Sequence, residues 1–174
     1  MEIFRVILTD YWAQLSFLLL GIGYIVKVIL ESINKRKEII YSFFQQNKLN
    51  AVNNYLSAYS EVLSMIRNIP EFEIYRYTIS AKEIDAYVQP PLSKLNAATN
   101  ELHMYLEEKQ YLIFKNITNN IEAINSKMID LRTNINPDYT PTQKSIDFYE
   151  IKTNNLNENE NLISEVLKEI RKNM

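Results

Sequence analysis

The stretch YWAQLSFLLLGIGYIVKVIL, residues 11–30, decides the fold. It carries no charge up to Val26, and its 20 residues match the length of helix that crosses a hydrocarbon core of about 30 Å. Lys27 lies near one end, where its long side chain can reach the lipid headgroups. Tyr11 and Trp12 lie at the other end, as interfacial aromatic residues do. The sequence therefore predicts a transmembrane helix over residues 11–30.

A cleaved signal peptide is the alternative interpretation of an apolar segment this close to the start of the sequence. The preceding residues include Glu2, Arg5 and Asp10, which do not form the basic beginning of a signal peptide. No small-residue cleavage site follows the segment. A retained membrane helix is therefore the better prediction.

A basic cluster, Lys35, Arg36 and Lys37, follows the apolar segment and is typical of a stop-transfer signal. Basic residues favour the cytoplasmic side of a membrane. We therefore expect a short extracytoplasmic N-terminus at residues 1–10 and a cytoplasmic domain at residues 31–174. The predicted location is the inner (plasma) membrane, crossed once, and the basic cluster is expected to contact anionic lipid.

The apolar helix has two different sides, and both glycines of the chain lie within it. One side is bulky and apolar, and the other carries small or polar residues that let helices approach closely and hydrogen-bond across the contact. The predicted association or pore face consists of Ala13, Gln14, Ser16, Leu20, Gly21, Gly23 and Lys27. A water-lined pore would need several copies in a ring. The alternative is that small residues are simply common in membrane helices.

The remaining sequence predicts an all-α protein, because it has few turn-forming residues and long apolar stripes at helical spacing. One stripe runs from Val52 to Ile66, and Pro70 ends it. A second helix is expected from Glu71 to Val88, closed by the prolines at 90 and 91. The alternative is that its less regular first part, EFEIYRYTI (residues 71–79), is extended. The most regular stripe runs from Leu92 to Ile135.

The segment NPDYTP, residues 136–141, predicts a turn, and Thr142 is the expected N-cap of a last helix. That helix is expected to bury Ile146, Tyr149, Leu156, Ile163, Val166, Leu167 and Ile170. Its polar middle, TNNLNENEN, is expected to fray or break. About four cytoplasmic helices with short connections predict an antiparallel bundle. Alternatively, some stripes pair between copies of the chain.

Few residues could carry catalysis. The chain has no cysteine, and its one histidine, His103, is more plausibly paired with Glu107 one turn on than part of a catalytic site. No spacing of acidic residues with His103 fits a metal site in a helical bundle, and there is no phosphate-binding glycine loop. A net charge of −2 offers no field for nucleic acid. The sequence predicts no enzyme activity, no cofactor and no direct nucleic-acid binding.

The order of the apolar segment, the following NKRKEII (residues 34–40) and the helical remainder resembles one family over the whole chain. It is the family of small membrane accessory proteins found beside the RNA-guided RNase of type VI-B CRISPR systems. The resemblance implies one spanning helix, a cytoplasmic helical domain related to the HEPN ribonuclease fold, and an oligomeric pore that supports antiviral defence. Membrane lipid, further copies of the chain and an RNA-guided RNase would then be its partners.

One departure from the HEPN pattern bears on catalysis. A HEPN nuclease site needs an arginine a few residues before its histidine, to hold phosphate while the histidine transfers a proton. The residues just before His103 include Asn96, Ala97 and Ala98, and the nearest preceding arginine is Arg76. Three hypotheses follow, in order of preference: a pore-forming membrane effector, a membrane-tethered helical scaffold, and a tethered nuclease that uses His103.

Overall fold

The computed structural model describes residues 11–136 and 138–172. The described residues form five helices and no strand. In chain order they are α1 (Trp12–Asn68), α2 (Glu71–Tyr75), α3 (Ala81–Leu102), α4 (Glu108–Thr133) and α5 (Pro141–Lys172). The all-α prediction is confirmed. The expected N-terminal segment, residues 1–10, lies outside the described residues.

The chain divides into two compact units, and the boundary falls between Gln45 and Gln46. The backbone of α1 is helical on both sides of that boundary, for 57 residues in total. For residues 47–50 the sequence allows either a kink or an unbroken helix, and the backbone there is helical. The physical reason is that the sequence between Gly23 and Pro70 contains neither glycine nor proline, so nothing in it breaks the helix.

Side chains from all five helices form one hydrophobic core in the second unit. The part of α1 from Ala51 to Ile66 contributes the stripe that its spacing predicts, with Tyr55 and Val62 fully buried. The other large, fully buried aromatic side chains are those of Tyr75, Phe114 and Phe148. Burial of these side chains supplies most of the free energy that holds the helices together.

Polar pairs between the helices show the direction in which neighbouring helices run. In each of three pairs of helices, the contacting residues follow opposite chain order, so the two helices are antiparallel. The pairs are Asn54–Glu101 and Glu61–Lys94 between α1 and α3, Thr99–Thr118 and Asn96–Glu122 between α3 and α4, and Asn120–Asn159 and Lys109–Glu169 between α4 and α5.

The expected helix from Glu71 to Val88 is wrong. Helix α2 ends at Tyr75, a turn follows, and α3 begins at Ala81 behind a capping box. In that box the Ser80 hydroxyl accepts a hydrogen bond from the Glu83 N–H at 3.3 Å, and the Glu83 carboxylate accepts one from the Ser80 N–H at 2.8 Å. These reciprocal bonds satisfy free backbone donors and fix the start of α3.

The prolines at 90 and 91 do not close a helix either, because α3 continues through them to Leu102. Pro90 is exposed, and so are Ala86 and Tyr87, whose carbonyl groups lose their helical donors to the prolines. Water can hydrogen-bond these carbonyls on the outer face. The buried stripe keeps its helical phase across the prolines, with Val88 before them and Leu92 after them.

The regular stripe from Leu92 to Ile135 is divided between two helices. A turn at residues 103–107 separates α3 from α4, and both Leu102, just before the turn, and Leu106, within it, are buried. The continuity of the stripe therefore reflects two helices that share one core. Ile135 lies beyond the end of α4 and is 89% exposed, so its expected burial is wrong.

Helix α5 begins at Pro141, and Thr140, instead of Thr142, occupies the capping position. The Thr140 hydroxyl accepts a hydrogen bond from the Gln143 N–H at 3.2 Å. Pro141 is suited to the first helical position because it has no N–H to leave unpaired. In this register Phe148 is buried. Ile146 and Tyr149 are exposed, so their expected burial is wrong.

The polar middle of α5 is helical, against the expectation that it would fray. Asn159 is fully buried there. Its side-chain oxygen accepts a hydrogen bond from Asn120 at 2.9 Å, and its amide donates to the Ile117 carbonyl at 3.2 Å. These two bonds tie the centre of α5 to α4 where apolar contacts are few.

Candidate functional site

One helix in the described part of the chain, α1, is long and apolar enough to cross a membrane. The apolar side chains of its first part are exposed, including Leu18 at 61% and Leu20 at 71%. A contiguous apolar surface of this kind marks a contact with lipid or with protein. A signal sequence near an N-terminus meets the same two criteria of length and composition.

The predicted association face lies on a continuous helix, so its angular positions follow from helical geometry. Ser16, Leu20, Gly23 and Lys27 fall within an arc of about 60° at about 100° per residue. Gly21 lies about 130°, and Gln14 about 150°, around the helix from the middle of that arc. We call Ser16, Leu20, Gly23 and Lys27 the narrow stripe. The side chain of Ala13 lies outside the described part of the structure.

The narrow stripe is open in the single chain. A Cβ atom added at Gly23, or at Gly21, would meet no atom within 4 Å outside its own helix backbone. Leu20 beside it is exposed, and Lys27 forms an exposed ion pair at 3.8 Å with Glu31, one turn on. An exposed pair of this kind contributes little to stability. No steric reason within the chain therefore requires glycine at position 23.

The basic cluster of Lys35, Arg36 and Lys37 lies on α1 and is exposed. Consecutive residues on a helix point about 100° apart, so the three charges surround the helix instead of forming one patch. Glu31 and Glu38 flank them. This distribution suits a helix surrounded by headgroups better than a groove that follows a nucleic-acid backbone.

His103 lies at the end of α3 and its surroundings differ from the expected pair with Glu107. Its Nε2 is 3.7 Å from a carboxylate oxygen of Glu108, with both side chains mostly exposed, and its ring centroid is 4.5 Å from that of Tyr111. Glu107 instead occupies the N-cap position of α4. Asn96 donates to Glu122 at 2.9 Å. Among the described residues, no group of three or more His, Asp or Glu side chains could hold a metal ion.

A buried hydroxyl network joins α1, α3 and α4, and the sequence patterns did not reveal it. The Tyr55 hydroxyl lies 3.1 Å from the Thr118 hydroxyl, which lies 2.8 Å from that of Thr99. Thr99 in turn donates to the Leu95 carbonyl at 2.8 Å. Burial raises the pKa of Tyr55 above its ordinary value. The network therefore connects the three helices through their buried hydroxyl groups.

A cluster of cations and tyrosines at the connections between helices also escaped the sequence patterns. Lys144 and Arg132 both lie against the ring of Tyr77, with the Lys144 Nζ 5.7 Å and the Arg132 guanidinium carbon 5.5 Å from its centroid. Lys144 is 96% buried, since only 4% of its surface is exposed. Residues of three separate segments meet here, which is why spacing along the chain gave no signal.

Comparison with protein-family models, with curated proteins and with solved structures gives no match to this chain.

Proposed function

We propose that this chain is a non-enzymatic, membrane-anchored helical protein whose copies associate through α1 to form a pore. The observation that carries the proposal is the narrow stripe of Ser16, Leu20, Gly23 and Lys27 on an apolar helix of spanning length. A purely anchoring helix needs no such asymmetry. Lipid offers no hydrophobic drive for helix association, so close packing along small residues supplies the contact energy.

The proposed membrane arrangement follows from the charges. Residues 11–30 cross the plasma (inner) membrane once, Lys35, Arg36 and Lys37 meet the cytoplasmic headgroups, and the second unit is cytoplasmic. The chain has no cysteine, so a single exposed cysteine such as Asn53→Cys reports this topology cleanly. In intact cells, Asn53→Cys should resist a membrane-impermeant maleimide and react after lysis. Labelling in intact cells would contradict the orientation.

The second unit is proposed to be an antiparallel bundle closed within one chain. Its support is the opposite chain order of the polar pairs between α1 and α3, α3 and α4, and α4 and α5. Its core is filled by side chains of one chain, including Tyr55 and Phe114. Association between copies is then left to α1 and to the outer surface of the bundle.

Gly23→Leu tests the proposal. Leucine at this position has open space in the single chain, so any loss must come from contacts between copies. The matched control is Leu18→Trp, which adds bulk on the opposite side of the helix, about 190° from the middle of the narrow stripe. We expect Gly23→Leu to insert normally, to lose the assembly and to abolish dye leak from reconstituted vesicles, whereas Leu18→Trp retains all three. Normal assembly and leak in Gly23→Leu would refute the proposal.

A tethered helical scaffold is the second candidate, and the division into two compact units favours it. In that case α1 is only an anchor, and replacing residues 11–30 by an unrelated spanning helix would leave function intact. The resemblance to the type VI-B accessory proteins makes antiviral defence alongside an RNA-guided RNase the proposed setting for either candidate. His103→Ala should not change activity under either of them, and a loss of activity would favour the nuclease hypothesis.

A further inference from the structure

A cavity of about 470 Å³ lies at the end of the second unit where the α2–α3 and α4–α5 connections meet. Its size is in the range of small-ligand sites. The basic residues Arg76 and Lys144 line it together with Tyr77, Tyr139 and Thr140, and none of its described lining residues is acidic. Cationic residues in a cavity wall attract an anion; the carboxylate of Asp147, which is not among the lining residues, accepts a hydrogen bond from the Tyr139 hydroxyl.

Lys144 is the strongest feature of this cavity. Its ammonium group donates a hydrogen bond to the Asn134 carbonyl at 2.6 Å and lies 6.0 Å from the ring centroid of Tyr139 as well as near that of Tyr77. Within the described residues it forms no ion pair with a carboxylate. Burying a cation without a counter-charge is costly, and a bound anion would offset that cost.

Three neighbouring groups also have unused hydrogen-bonding capacity or a strained backbone. Arg132 donates through Nη2 to the Ile79 carbonyl at 2.8 Å, but its buried Nη1 has no acceptor among the described residues. The buried hydroxyl of Tyr75, a residue that lines the cavity, has none either. Tyr77 has a φ of 59°, in the left-handed region that a bulky residue rarely adopts. Strained residues of this kind cluster at ligand sites.

The cavity also receives the beginning of α5, a helix of 32 residues. Thr140, the capping residue, lines the cavity, and the partial positive charge of the helix N-terminus adds to that of the lysine and arginine side chains. Several donors in different directions suit the tetrahedral oxygens of phosphate better than a planar carboxylate. The volume exceeds that of a lone phosphate, and the tyrosine rings offer a surface on which a base can stack.

We propose that this cavity binds the phosphate groups of a small soluble phosphorylated ligand, of the nucleotide class. Lys144 and Arg76 contact the phosphate oxygens, Arg132 holds Tyr77 in place from behind its ring contact, and Tyr77 and Tyr139 flank the remainder of the ligand. The lining residues of the cavity all belong to the second unit. The test of ligand binding is therefore independent of the test of the proposed pore.

The test uses the full-length protein in detergent, titrated calorimetrically with inorganic phosphate, pyrophosphate and ADP at concentrations up to about 10 mM. Lys144→Met removes the charge and keeps the chain length. Lys115→Met is the matched control, because Lys115 is an exposed lysine that also lies against a tyrosine ring, 6.0 Å from the centroid of Tyr111. Lys144→Met should weaken binding by about tenfold or more, and Lys115→Met should leave it unchanged.

The three ligands distinguish a nucleotide from an inorganic polyphosphate. ADP and pyrophosphate both carry two phosphates, so tighter binding of ADP supports a nucleotide, whereas equal binding would overturn the nucleotide assignment and leave a polyphosphate site. If Lys144→Met loses its helical circular dichroism signal, a second variant replaces it. Arg76 is exposed, and Arg76→Gln should weaken binding several-fold. Absence of binding by all three ligands, or binding that neither variant weakens, would overturn the proposal.

Discussion

Removing one hydroxyl group from the buried network, by Tyr55→Phe, tests how α1 is held against α4. The Tyr55 side chain is fully buried, and its hydroxyl lies 3.1 Å from both the Phe114 carbonyl and the Thr118 hydroxyl. The ring keeps its contact with Phe114, at 4.7 Å between centroids, because the substitution removes only the oxygen. The change therefore isolates the hydrogen bonds from the packing.

The structure sets the magnitude, because no buried partner is left without a bond. After Tyr55→Phe, the Thr118 hydroxyl still has the Phe114 carbonyl at 3.1 Å and the Thr99 hydroxyl at 2.8 Å. The cost is then that of one net hydrogen bond, about 1 kcal/mol, and not the larger penalty of an unsatisfied group. Thr118→Val should cost a similar amount. The double variant should cost less than the sum of the two, since both single changes remove the same bond.

The assay is denaturant unfolding of the full-length protein in detergent, followed by near-ultraviolet circular dichroism of the tyrosines. The matched control is Tyr75→Phe, which removes the same group from a buried tyrosine whose hydroxyl has no partner among the described residues. It should be neutral or stabilising. A Tyr55→Phe variant as stable as the wild type, or strictly additive effects in the double variant, would refute the network.

Two further predictions concern the core and the start of α3. Phe114→Ala removes a fully buried ring and should lower the free energy of unfolding by about 3–5 kcal/mol in the same assay, and a loss below about 1 kcal/mol would contradict the core. The Glu83 carboxylate accepts hydrogen bonds from the Ser80 hydroxyl and from the Ser80 backbone N–H, and these bonds lower the pKa of Glu83. The ionised carboxylate therefore stabilises α3 fully at a pH above the unfolded-state pKa of about 4.3. The stability difference between wild type and Glu83→Ala should therefore persist at neutral pH and shrink as the pH falls through the lowered pKa, whereas a difference that does not change with pH would contradict the capping box.

The helical class and the buried stripe of α1 could be predicted because both depend on local periodicity. The apolar residues from Val52 to Ile66 repeat at helical spacing, and they face the core as that spacing requires. The ends of the helices were less predictable. Pro90 and Pro91 normally stop a helix, but tertiary packing of Val88 and Leu92 on one buried face overrides that local preference.

The turn between α3 and α4 could not be predicted. Residues 103–107 contain no glycine or proline, so no local signal indicates that the chain reverses direction there. Leu102 and Leu106 also continue the apolar stripe through the turn. The narrow stripe could be proposed from the sequence, because it depends only on angular positions along one helix. The cluster of Tyr77, Arg132 and Lys144 could not, because those residues are brought together only by the packing of helices distant in sequence.

The native mass of the detergent-extracted full-length protein, measured by light scattering or native mass spectrometry, tests most directly whether α1 assembles copies of this chain. A pore lined by the narrow stripe predicts a closed ring of about five copies or more, lost in Gly23→Leu and kept in Leu18→Trp. A monomer or dimer in the wild-type protein, across detergents that preserve its helical content, would contradict the pore and leave α1 as an anchor.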